Sequence, residues 1–200
     1  MGFDAQRHYP RFTMSATASR VSSLRLVGGR PCLDLVNTVS WRGDDARRED
    51  HLSHSAECLV WCRRAGVLSD IEAAQLSGLD VRTPLLAVRD ALTIHLADAV
   101  EPELSGLQPY VEDAYRHSHL VLRSGRAQWV VSSLDQRTPA RRIAHDLLDQ
   151  LTDPPGPIGR CADPACGWAF VDTSRGHRRR WCSSADCGNR ERVRRHAARS

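Results

Sequence analysis

Cysteine spacing constrains this 200-residue chain more than any other feature. Four of its seven Cys form two equally spaced pairs, Cys161-Ala-Asp-Pro-Ala-Cys166 and Cys182-Ser-Ser-Ala-Asp-Cys187, with fifteen residues between them. The first thirty residues contain no apolar run of the kind an export signal carries, which argues against a disulfide framework and for metal binding. Two Cys pairs suit a tetrahedral four-thiolate site, and four thiolates favour Zn2+, an ion with no geometric demand of its own. Each pair must turn tightly so that both sulfurs face one ion. Pro164 in the first loop and Ser183-Ser184-Ala185 in the second fit that need. With Cys161, Cys166, Cys182 and Cys187 all protein-supplied, no position is left for water, and the one zinc is structural.

The segment between the pairs alternates over Trp168-Ala-Phe-Val-Asp172, turns at Thr173-Ser-Arg-Gly176 and continues from His177 to Trp181, so it reads as a hairpin. Asp186 or Ser184 can cap a helix that starts near Cys187 and runs through His196. A knuckle, a hairpin and a last ligand in the first helical turn make a treble-clef-like finger. Forty residues bury too little apolar surface to fold alone, and structural zinc supplies about 10–16 kcal/mol in small peptides. Trp168, Phe170, Trp181 and Val193 are the expected core of this module.

The rest of the chain reads as α+β and mainly helical. Residues 1–23 lack periodicity and are expected to be a flexible tail. Leu24-Arg-Leu-Val27 alternates into Gly28-Gly29, a short strand before a turn. A helix is expected over Cys32–Val39, opened by Pro31. Leu52 to Ala65 has helical spacing and stops at Gly66. Ser69-Asp-Ile-Glu72 has the form of a capping box. Further helices follow from Thr83-Pro84, from Leu107 to Arg116, and from Thr138-Pro139. His119–Arg123 and Ala127–Val131 flank a Ser124-Gly125 turn, the strongest hairpin signal in the chain. Asp153-Pro-Pro-Gly-Pro157 excludes helix and central strand. Residues 24–152 are therefore expected to form a helical domain with a small β-hairpin or sheet, 153–159 a linker, and 160–200 the finger.

Charge supports a polyanionic partner. All 28 basic residues are Arg, and the net charge is +4. Residues 161–200 hold nine Arg against four acids, a formal +5, while residues 1–160 are formally −1. A zinc site with four thiolates carries −2, so the finger is nearer about +3. Arg178, Arg179 and Arg180 precede the third ligand. Arg190 and Arg194, one turn apart, share a face of the terminal helix, with Arg195 beside them. Such a helix can enter a major groove, where guanidinium reads guanine O6 and N7, while other Arg hold phosphates. Four to six phosphate contacts predict a log–log salt slope of about −4 to −5. Alternatively, the Arg face is solvated, or pairs with acids of the other domain.

Cys187-Gly-Asn-Arg190, with Arg180-Trp-Cys182 and Cys161-Ala-Asp-Pro-Ala-Cys-Gly-Trp-Ala-Phe170, resembles the CGNR zinc-finger family. Gly28-Gly29 followed by Leu33-Asp-Leu-Val-Asn-Thr38, and later Trp61-Cys-Arg-Arg-Ala-Gly66, resembles the ABATE domain that precedes such fingers. The resemblance covers about residues 24–198. It implies a stress-induced bacterial transcription regulator that binds DNA through the finger, and it places the metal on the same four Cys.

Asp34, Asn37 and Thr38 share one face of an otherwise apolar helix. They line a small-ligand pocket, with Arg63 able to pair with Asp34, or they serve local capping bonds. His51, His54, Cys58 and Cys62 form a helical stripe, but one straight helix cannot wrap a metal tetrahedrally, so buried Cys is the reading there. No HExxH, GxSxG or phosphate-cradling Gly loop occurs. The expectation is a cytoplasmic, non-enzymatic regulator that binds duplex DNA, with no membrane span, in which the N-terminal domain binds an effector or forms a homodimer. A zinc-stabilised protein-interaction or RNA-binding module is the alternative, and an enzyme site in the N-terminal domain a third.

Overall fold

The computed structural model describes residues 18–97 and 104–199. In order they form α1 (Ala18–Ser23), α2 (Pro31–Val36), β1 (Val39–Ser40), β2 (Glu49–Asp50), α3 (Ser55–Arg64), α4 (Asp70–Gln75) and α5 (Arg82–Ala97). Then come α6 (Gln108–Arg116), β3 (Ser118–Arg123), β4 (Arg126–Val131), α7 (Thr138–Thr152), β5 (Ile158–Arg160), β6 (Ala169–Val171) and α8 (Cys187–Ala197). Each strand pairs with one antiparallel partner: β1 with β2, β3 with β4, β5 with β6. Among these residues no helix is long and apolar enough to cross a membrane.

The body is built around α2. Pro31 opens this helix, where its missing N–H costs nothing. Cys32 to Val36 are all buried. A six-residue helix buried on every side cannot be held by an amphipathic stripe, so its ends are pinned by charge. The Cys32 amide donates to Asp146 Oδ2 of α7 at 2.8 Å, and Arg30 Nε meets Asp146 Oδ1 at 2.9 Å. At its other end, Arg89 of α5 donates to Thr38 Oγ1 and binds Asp50 of β2 in bidentate fashion at 2.8 and 2.7 Å. Around α2 the core gathers Trp61, Leu85, Leu92, Ile143 and Leu147, all essentially inaccessible. The α3 thiols Cys58 and Cys62 lie in the same core as small hydrophobes, and burial pushes both thiol pKa values up. Ser69 and Glu72 form the expected capping box of α4, and Arg142 of α7 ties Glu72 to Val67 O.

Several sequence expectations are corrected. Ala18–Ser23, placed in a flexible tail, is helical, and Val21 is fully buried; residues 1–17 lie outside the described region. Leu24–Val27 forms no ladder, because side chains and a distant strand use the nearby carbonyls: Arg179 donates to Val27 O, and Val171 N to Gly28 O. The hairpin expected between the two Cys pairs is not made from 177–181. Ala169–Val171 pairs instead with Ile158–Arg160, of which residues 158 and 159 were expected to belong to the linker. The proline run ends at 157, so an edge strand can begin at the next residue.

That sheet joins finger and body. Ala169 and Val171 belong to the body's main core, whereas Phe170, on the opposite face, packs with the four Cys. Asn37, at the C-terminal end of α2, clamps the strand. Its Nδ2 donates to Ala169 O at 2.8 Å, and its Oδ1 accepts from Ala169 N at 2.9 Å. Trp168 Nε1 donates to Val39 O at 2.9 Å. The β1–β2 loop lies against the first Cys pair, with Arg42 N bonded to Cys166 O and Gly43 N to Ala165 O. A Cβ on Gly43 would lie 1.9 Å from Pro164 O, so only glycine permits this approach.

The Asn37 clamp predicts a specific cost. Asn37→Ala leaves two buried backbone groups unpaired and should destabilise the zinc-loaded chain by about 2–4 kcal/mol in urea unfolding. A loss under about 0.5 kcal/mol would show that the clamp is dispensable.

Candidate metal centre

Cys161 follows directly on β5, and its amide donates to Trp168 O at 2.8 Å, extending the ladder by one bond. The chain then turns through Asp163-Pro164-Ala165, closed by Cys166 N to Asp163 O at 2.9 Å, so that Cys166 faces back. The second pair is built alike. Ser183 Oγ accepts from Asp186 N and Ser183 O from Gly188 N, which delivers Cys187 in the first turn of α8. Ala162 N to Arg180 O stitches the two halves together.

The four sulfurs are buried and lie within 4.8 Å of one another, with Cys166–Cys182 at 3.6 Å and Cys182–Cys187 at 3.4 Å. A tetrahedron with Zn–S near 2.3 Å has S···S edges of about 3.8 Å. The donor chemistry agrees. Hydrogen bonds from Cys166 and Cys182 hold the Cys161 thiol far below its ordinary value, whereas Cys166, Cys182 and Cys187 are pushed up. One thiolate suppresses ionisation of its neighbours, so four can coexist only around a cation. Cys161, Cys166, Cys182 and Cys187 thus fit one Zn2+, which supplies folding energy and leaves no open coordination position.

The Arg residues expected on the nucleic-acid face divide sharply. Arg179 is folded inward: its guanidinium donates to Val27 O, Val171 O, Trp181 O and Cys182 O and stacks 4.0 Å from the Phe170 ring. Arg190 and Arg194 share a face as expected, and both reach Asp163, whose side chain is fully buried, although Arg194 itself stays 47% exposed. Arg190 Nη2 also donates to Cys187 Sγ at 2.9 Å, and its guanidinium lies 4.6 Å from the Trp41 ring. Arg178, Arg180 and Arg195 are exposed. Arg180 stacks on Trp181, and Arg195 Nε lies 3.6 Å from Glu191. Of the expected finger core, Phe170 is fully buried and Trp168 and Trp181 are partly so, but Val193 is 60% exposed because it faces away from the sulfurs.

The expected ligand pocket does not assemble. Asp34 is buried with its Oδ1 accepting from Gly28 N at 2.7 Å, and burial raises its pKa to about 6. Asn37 is spent on Ala169, and Thr38 donates to Leu35 O at 2.7 Å. Arg63 lies on the surface, paired with Asp70 at 2.5 Å, not with Asp34. Local bonding is what these groups do.

Asp163, Trp41, Arg42 and Gly43 are the site residues that the sequence did not single out. The Asp-Pro turn inside the first Cys pair was a signal for Asp163. Trp41 and Gly43 sit far before the first Cys pair in the sequence, in a polar loop where nothing local marks them.

Two knuckles, a short β-ladder and a helix carrying the last ligand make this a treble-clef-like zinc finger built into a helical body. A family model described as "CGNR zinc finger" matches residues 158–200. The model named ABATE, described as "Putative stress-induced transcription regulator", matches residues 29–154, more than half of the chain, and the chain belongs to that family. It matches none of the curated proteins with which it was compared.

Two predictions follow from the geometry. Removing zinc with a chelator should lower the thermal unfolding temperature of the body as well as the finger, because β6 is shared; circular dichroism of the helices reads this. Arg190→Lys keeps the charge but loses the fork to Asp163 and Cys187, and should weaken zinc about tenfold or more in chelator competition. Unchanged zinc affinity would show that Arg190 does not support the site.

Proposed function

We propose that the chain is a cytoplasmic transcription regulator that binds duplex DNA through the exposed face of α8. The observation that carries this reading is the sorting of α8 by function. Arg190 and Arg194 are turned onto Asp163, so Asn189, Arg192, Val193, His196 and Arg199 are left on the outward side, all exposed. Among the described residues Arg192 makes long contacts, 3.4 Å to Ser184 O and to Asn189 Oδ1, so its fork can be released to a guanine edge. Val193, apolar and exposed, suits a thymine methyl. Arg180 stacks on Trp181, which packs at Gly188 in the first turn of α8, and so adds a phosphate contact beside the helix.

In this reading the chain is not an enzyme, and the body's role is to hold the finger rigidly. Rigid docking favours DNA over a flexible interaction module, because it fixes the orientation of the helix before binding. One observation favours a protein contact in addition. The β3–β4 ribbon projects with Leu120, Leu122 and Trp129 exposed on one face, the kind of surface through which regulators form homodimers.

Salt titration of the zinc-loaded chain against fluorescent duplex should give a log–log slope of about −4. Arg192→Ala should weaken binding and reduce the slope by about 1, with zinc content unchanged. Absence of binding at low salt with zinc retained would overturn the reading. Stronger competition by single strands than by duplex would move it to RNA.

A further inference from the structure

One side of the zinc site is not closed by packing. Beside it lies a cavity of about 180 Å³ between finger and body, walled by Trp41 and Trp168, by Ser40, and by three of the four ligands: Cys166, Cys182 and Cys187. Cys161 is not among the walls. In a tetrahedron any three ligands outline one face, so the cavity meets the centre through the face opposite Cys161. At its margin stand Arg25, ion-paired to Asp186, and Arg190. A purely structural centre gains nothing from such an opening.

The three thiolates on this face are not equivalent. Cys187 Sγ accepts a charge-assisted bond from Arg190 at 2.9 Å, which lowers its nucleophilicity. Among the described residues no guanidinium hydrogen-bonds to the sulfur of Cys166 or Cys182, and these two sulfurs lie 3.6 Å apart. The mostly apolar walls admit a small neutral reagent more readily than a hydrated ion.

We propose that Cys166 and Cys182 are an oxidation site for small hydroperoxides, reached through this cavity. The Cys182 thiolate attacks the outer peroxide oxygen; the O–O bond breaks, and the leaving hydroxide or alkoxide takes up a proton and departs as water from hydrogen peroxide or as the alcohol from an alkyl hydroperoxide. The resulting sulfenic acid is attacked at sulfur by the Cys166 thiolate, the Cys166–Cys182 disulfide forms, and a second proton carries away the sulfenic hydroxyl as water. Both sulfurs are oxidised by one electron each, and the peroxide takes both electrons. Zinc then keeps two of its four ligands and is released. The second knuckle loses its hold on Cys182, α8 loses the metal that anchors its first turn, and Arg190 loses the zinc-bound thiolate it bridges to Trp41. The cavity is thus a route by which peroxide undocks the proposed DNA-contacting helix, although the oxidation itself requires no DNA.

The test uses the full zinc-loaded chain, hydrogen peroxide and a chromogenic zinc indicator, with peptide mapping of the disulfides. Zinc release should be first order in peroxide and accompany a Cys166–Cys182 disulfide, while Cys32, Cys58, Cys62 and Cys161 stay reduced. Ser40→Phe, which fills the cavity from β1, should slow release at least about tenfold with zinc affinity retained. Arg25→Ala, which unpairs the margin on the exposed side, should accelerate it, and this keeps the route testable if Ser40→Phe does not fold. Disulfides that include Cys161 as often as Cys182 would overturn the proposal. So would release rates unmoved by Arg25→Ala and by a folded Ser40→Phe, or zinc retained at millimolar peroxide.

Discussion

Four thiols brought within 4.8 Å of one another oppose each other's ionisation, and only a cation lets all four be thiolates together. That constraint organises the C-terminal quarter of the molecule. The knuckle turns exist to aim sulfur, α8 begins where the last sulfur must be, and Asp163 is buried in order to hold Arg190 against it. A fully buried carboxylate with two guanidinium partners is costly to desolvate and is retained here because it fixes the helix in one orientation relative to the metal. The negative charge of a four-thiolate zinc is thus partly offset by Arg190 of its own helix, and with Arg190 and Arg194 both paired to Asp163 fewer cations are left unpaired than a formal charge count gives.

The second organising contact is the reciprocal pair of hydrogen bonds between the Asn37 amide and the Ala169 backbone. An amide side chain presents a donor and an acceptor spaced like those of a peptide, so Asn37 acts as one residue of a strand supplied by a helix end. Because the strand it holds carries Phe170 on one face and Ala169 and Val171 on the other, one short ladder contributes to two cores. Arg179, read from sequence as a surface cation, fills the seam between them by donating to carbonyls on both sides.

What was legible in the sequence was whatever depends on neighbours in the chain. The Cys pairs, the Ser69–Glu72 cap, the Ser124-Gly125 hairpin and the start of α8 are set by residues within five positions of one another, and each is where pattern reasoning puts it. The ladder of β6 was not legible, because its partner was chosen by long-range docking: Ala169–Val171 alternates equally well for a pairing with 177–181 or with 158–160. The direction of the Arg190–Arg194 stripe was not legible either. Spacing shows that two residues share a face but not which way the face points, and the deciding group, Asp163, lies on another element. Asp34, Asn37 and Thr38 were correctly marked as polar groups needing partners. Their partners are a backbone amide at Gly28, the strand at Ala169 and the Leu35 carbonyl, so the apparent pocket closes into structure.

The double-faced strand also bears on how the molecule is made. The chain emerges from synthesis with its N-terminal end first, and α2 must wait, with the Asn37 amide unpaired and the surface that meets Ala169 and Val171 uncovered, until more than 130 further residues have followed. Even then the strand's other face is completed only when the cysteines close around their ion. Maturation of the helical body is therefore tied to metal supply. In a zinc-poor cell the product is a body with an open flank rather than a finished domain trailing an unfolded finger, and such a flank is the surface that quality-control proteases and chaperones recognise.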